Sequence, residues 1–259
     1  MQLLRQLSLA FCLIYLCPLL NGQYLNYRAG ISGTIPIDNL EKMDDDLVIA
    51  DPAPKLDLLK RLGIDSNIAE AATSPRFSHD IQIEPLRTQS GKLYGILSLP
   101  CGIQNLAFIY LLDRTGTSIW HAVDHVSLDC FHGTPTHRLL SPLPGEDFIF
   151  VEHVSSGHGS TGELDDQATL YSVSNGKMHQ VLSTNDYSRR QEPTWTLPPI
   201  EQNSSFLQLP GGIIEETRIT SQKDSLLRAK RRIWKWSNNL RTFQATSFRT
   251  LRDGSNTDK

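Results

Sequence analysis

Leu170-Tyr171-Ser172-Val173-Ser174-Asn175-Gly176-Lys177-Met178-His179-Gln180-Val181-Leu182 is the stretch that decides the fold. Two apolar-rich runs flank Asn175-Gly176, a dipeptide suited to the left-handed backbone of a two-residue turn, so the segment predicts a β-hairpin. Outward from it the same texture recurs. Candidate strands cover 81–83, 93–99, 106–112, 118–126, 148–154, 168–173, 178–182, 213–220, 226–236 and 242–248. Asp113 to Gly116, Gln222 to Asp224 and Asn238-Asn239 supply further turns. Strands this close together with short turns pair antiparallel. The expectation is an all-β protein of antiparallel meander sheets (sandwich, barrel or partial propeller-like) over 81–250, followed by a disordered tail at 251–259.

A faint repeat runs through this region. Leu97 to Pro100, Leu140 to Gly145 and Leu207 to Gly211 each place a leucine–proline segment ahead of strands, although convergent turn chemistry produces the same look. Centring one turn on Lys223 predicts the pairs Ile213–Ile233, Glu215–Arg231, Glu216–Lys230 and Arg218–Arg228. The first two ionic pairs are favourable and the last is a mild cost.

Residues 23–80 differ. Ten acidic residues lie between Asp38 and Asp80, including Asp44-Asp45-Asp46, and Pro52 and Pro54 punctuate them. The leucines of 55–62 and the stretch 65–72 have helical spacing. The segment is expected as an acidic, weakly ordered lead-in carrying one or two short helices. Ahead of it, Arg5 precedes an apolar run from Leu7 to Leu20 and then Asn21-Gly22. That is the pattern of a signal peptide over 1–22, too short to cross a bilayer comfortably, and it implies a secreted or periplasmic protein. Cleavage leaves two cysteines, Cys101 and Cys130, whose simplest fate after export is a disulfide contributing about 3 kcal/mol in the chain-entropy model.

Composition narrows function by exclusion. At 259 residues, with 39% hydrophobic and 20% charged residues, the chain is globular rather than disordered or multi-spanning. A net charge of −3 argues against coating nucleic acid. The motifs are weaker. His121 to His137 holds four of the eight histidines, and His121 and His125 share a face on a regular strand, making them the candidate divalent-metal ligands. The zinc-protease pattern fails at Ala122, and surface or half-buried histidines are the plainer reading. Gly157 to Gly162 spells a dinucleotide-loop pattern, but carboxylates follow it where phosphate needs positive charge, so a loop between strands is expected and no cofactor is assigned. Its Ser160 also lacks the glycine of a nucleophile elbow, since His158 occupies that position.

From Arg218 to Arg252 ten basic residues face the single Asp224, with Trp234 and Trp236 among them. Arg228, Lys230 and Arg232 are therefore the candidate binding residues for an anionic glycan, a lipid head group or a protein; the alternative is a charged strand face balanced from within. Asn203-Ser204-Ser205 fits a glycosylation acceptor. Three functions follow: a non-catalytic binding module, a metal-assisted hydrolase built on the histidines, or a structural envelope component. The missing catalytic signature favours the first.

Overall fold

The computed structural model describes residues 30–102, 105–115, 119–130, 133–158, 163–190, 200–221 and 225–251. The expected signal peptide, Gly159 to Gly162, the turn at Lys223 and the tail after Leu251 lie outside the described residues.

Three short helices come first: α1 (Leu40–Ile49), α2 (Pro52–Arg61) and α3 (Ser66–Ala72). Asn39 caps α1 by accepting from the Lys42 backbone at 3.1 Å, and Asp65 caps α3 through Asn67 N at 2.8 Å. Pro52 opens α2, where its missing N–H costs nothing, and Lys60 and Arg61 sit at its negative end. Met43, Leu58, Leu59 and Leu62 are 0% exposed, so 40–72 is a packed layer where a loose lead-in with one or two helices was expected. None of these helices can bury a face alone, and a sheet supplies the other half of the core. The acidic run leaves that face free: Asp45 turns to solvent and Asp44 accepts the Ile83 backbone N–H at 2.9 Å.

The remainder is antiparallel β in two sheets, both meanders. The first runs β1 (Gln82–Arg87), β2 (Leu93–Leu99), β3 (Leu106–Thr115) and β4 (Ile119–Asp129) in sequence order. The second begins with β5 (Thr136–Leu143), β6 (Glu146–His158), β7 (Glu163–Ser174) and β8 (Lys177–Arg190). It continues through β9 (Ile200–Leu209), β10 (Gly212–Ser221), β11 (Ser225–Ser237) and β12 (Thr242–Ala245). β13 (Arg249–Leu251) returns to pair with β11. Asn175 and Gly176 take φ of 52° and 72°, the left-handed pair that the hairpin between β7 and β8 requires.

Three apolar layers hold these elements. The helices pack on Ile83, Leu97, Phe108 and Leu112 of the first sheet. Its opposite face, with Tyr94, Ile96, Ile109 and Leu111, meets Ile149, Val151 and Val173 of the second sheet, so the two sheets stack face to face. The far face of the second sheet curls over its own core of Phe148, Phe150, Leu170, Phe206, Ile213, Trp234 and Phe243. The curl brings Thr242 Oγ1 to Val181 O at 2.5 Å and Gly211 N to Pro142 O at 2.7 Å without closing a barrel. Two of the three leucine–proline segments thus meet, and Gln208 adds hydrogen bonds to both Ser141 backbone groups.

Cys101 and Cys130 are joined as a disulfide across the ends of β2 and β4, with Cα atoms 6.0 Å apart. Among the described residues no helix is long and apolar enough to cross a membrane.

Candidate functional site

Hairpin register places the basic residues, and it differs from the expected one. Near the turn Ser221 pairs with Ser225 and Thr220 with Leu226, as a centre at Lys223 requires. A bulge then inserts Leu227, and every later pair moves by one residue: Ile213 faces Trp234, Glu215 faces Arg232, Glu216 faces Arg231 and Arg218 faces Ala229. The shift removes the Arg218–Arg228 repulsion and sets Arg232 opposite Glu215, the buried member of the Glu215–Glu216 pair.

That carboxylate, Glu215, is 1% exposed and fully engaged. It accepts from Arg232 Nε at 2.7 Å and Trp234 Nε1 at 2.7 Å, with Thr217 Oγ1 at 3.4 Å. Arg232 also donates to Thr184 Oγ1 at 2.6 Å and lies 4.4 Å over the Trp234 ring and 4.3 Å over Phe248. It is an internal strut between β8, β10 and β11. The tryptophans are core residues too: Trp236 makes edge contacts with Phe148 and Phe243.

Lys230 and Arg228 follow on the same face of β11, two and four residues from Arg232. Lys230 lies 4.3 Å over Phe248 and donates to Gln202 Oε1 at 3.4 Å. Burial lowers its ammonium pKa, Glu215 opposes that, and the like charges of Arg232 and Arg228 push it down further. Arg228 is exposed and holds Thr250 Oγ1 at 2.9 Å.

The histidine pair does not converge. A bulge at Val123 leaves Ala122 opposite Leu112 and Asp124 opposite Leu111, so His121 faces Asp113 while His125 faces Tyr110. Asp113 and Tyr110 are three residues apart on a strand and point to opposite sides. His125 stacks on Tyr110 at 5.1 Å on the helix side, and His137 instead bridges β5 to β1 through Glu84 at 2.9 Å. Among the described residues no group of three or more His, Cys, Asp or Glu is arranged to hold a metal ion.

Four acidic positions have roles that the sequence alone does not assign. Glu215 is one, and Asp147 is another, buried between the sheets and bonded to Arg87 and Ser141. Asp186 is the extra residue of a bulge in β8, since Asp166 pairs with Tyr187 and Gln167 with Asn185. Burial pushes its carboxyl up to about 6, Glu152 and Asp166 add to the rise, and backbone donors at Tyr187 and Asp186 oppose it. Nearby, burial lowers His153 against the pull of Asp166 and Asp129. Glu146 is the fourth, 2% exposed at the start of β6. Only Glu215 had a usable signal in the sequence, the opposed charges of its hairpin.

The curled face therefore carries cations on β11 and a strip of perturbed carboxylates on β6 to β8, separated by β9 and β10. No family model, no curated protein and no solved structure matches the chain.

Proposed function

We propose that the protein is an exported, non-catalytic binding module that receives an anionic group of its partner on Arg228 and Lys230. The observation that carries this is an imbalance of charge. Arg228, Lys230 and Arg232 line one face of β11, and Glu215, which bonds Arg232 and also acts on the charge of Lys230, is one carboxylate against three cations. A sulfate, phosphate or carboxylate beside Lys230 relieves the repulsion that its two like-charged neighbours impose. Gln202 and the exposed Phe248 stand ready beside it. The disulfide supports export, because such bonds persist in oxidising compartments.

Retention on heparin-agarose tests the reading. The Arg228→Gln/Lys230→Gln double variant is expected to elute at clearly lower salt than the parent. Arg218→Gln, on the opposite side of the hairpin, leaves elution unchanged. Arg232 is not used, because its loss strands Glu215. Equal elution of the double variant and the parent removes the proposal.

A further inference from the structure

Glu146 and Arg241 point to a second site. Glu146 opens β6, immediately after the Pro144-Gly145 turn, and Arg241 lies in the turn between β11 and β12 with φ of 49°. Together with Gln89 and Ser90 of the β1–β2 turn, Tyr94 of β2 and Asn175 of the β7–β8 turn, they line a cleft of about 370 Å³. That volume is in the range of small-ligand sites. Four turns from both sheets meet there, so rigid strands hold its walls.

The cleft contains a side chain with unmet needs. The Glu146 residue is 2% exposed, yet neither carboxyl oxygen has a hydrogen-bond partner among the described residues. Arg241 is near enough to act on its charge but is not bonded to it. A buried carboxyl without donors is costly, so this one is either tolerated or completed by a ligand.

We infer that the cleft between Glu146 and Arg241 binds a polyol through vicinal hydroxyls, as presented by a monosaccharide unit. One hydroxyl donates to Glu146, whose buried carboxyl turns into the cleft to accept it, and its neighbour accepts from Arg241, bridging an acid and a base that do not reach each other. A hydroxyl suits Glu146 in either protonation state. An ammonium ligand fits less well, because the Arg241 guanidinium on the same cleft repels it. The Gln89 and Asn175 amides add donors and acceptors at the rim, and the buried Tyr94 closes the wall, its hydroxyl accepting from Gly176 N at 3.1 Å.

The site is separate from Arg228 and Lys230, and its test is independent of heparin retention. Saturation-transfer NMR on the intact chain uses D-glucose, D-galactose, D-mannose and N-acetyl-D-glucosamine as probes, with putrescine as the ammonium control. At least one sugar is expected to bind the parent, and Glu146→Leu and Arg241→Gln each weaken it tenfold or more. Melting curves show whether each variant is folded. Arg241 is exposed, so Arg241→Gln decides the matter if Glu146→Leu does not fold. Silence from all four sugars, unchanged sugar binding in the folded variants, or saturation transfer to putrescine alone overturns the inference.

Discussion

Glu146 and Asp147 are neighbours in the chain and nearly equally buried, at 2% and 4% exposed, yet their surroundings are opposite. Asp147 accepts from Arg87 N at 2.9 Å, Arg87 Nε and Nη2 at 3.1 Å each, and Ser141 Oγ at 2.6 Å. It joins the first sheet to the second. Glu146 receives nothing from the described residues. The same contrast recurs further along the second sheet, where Glu215 is saturated with donors and Asp186 keeps one oxygen without a partner. Burial alone therefore does not give a carboxylate its role. Where the chain supplies donors, the carboxylate holds the fold together; where it does not, the carboxylate is a cost that a ligand or a proton relieves.

The contrast is broken most forcefully at Glu215. Glu215→Ala leaves Arg232, 18% exposed, without its counter-charge and removes the acceptor of the Trp234 indole. Breaking a buried pair from one side costs about 3–5 kcal/mol, read as a lowered urea midpoint. A change below 1 kcal/mol shows that Arg232 finds another partner and that Glu215 is not a strut. Asp147→Asn is the next largest, at about 2 kcal/mol, because hydrogen bonds to a charged group are lost. Here pH gives a second test. Burial opposes ionisation of Asp147, but the hydrogen bonds and charge of Arg87 and the bond from Ser141 win, so the folded carboxyl lies below its ordinary 3.8. Its stabilisation is complete above that value and fades as pH falls through the folded one. The gap between parent and Asp147→Asn should close in acid; a gap that is constant down to pH 2 assigns the effect to shape rather than charge.

These roles were unevenly legible in the residues themselves. Alternation and Asn175-Gly176 disclosed the meander because side-chain period and turn chemistry are local properties. β5 and β9 were hidden. Pro142 reads as a strand breaker, but β5 is the edge of its sheet, where a missing N–H is tolerated. Asn203 to Ser205 reads as loop, yet Ser204 is buried because its hydroxyl meets Thr217 Oγ1 at 3.0 Å. α1 was masked by Asp44 to Asp46, whose solvent side carries the charge while Met43 and Leu47 carry the packing. The bulges at Val123, Asp186 and Leu227 had no signature, and each reassigns faces: one parts His121 from His125, another sets Arg232 on Glu215. The Glu146 cleft is assembled from turns far apart in the chain, so only the folded structure brings it together.

The smallest effect has the opposite sign and sharpens the contrast. Asp186 ionises near 3.8 in the unfolded chain and at about 6 in the folded one, so between those values the folded state holds the extra proton. Stability therefore falls as pH rises from 3.8 to 6 and stays lowered above it. Asn at this position keeps the shape of the bulge residue without the charge. Asp186→Asn should stabilise the protein by about 1 kcal/mol at pH 7.5, a figure reduced from the full shift because the side chain is only half-buried and solvent screens it. The gain should vanish by pH 4, where the native side chain is already neutral in the fold. Paired urea denaturations at the two pH values measure the difference. If the variant is instead less stable at pH 7.5, the Asp186 carboxylate belongs with Asp147 and Glu215 as a bonded part of the fold.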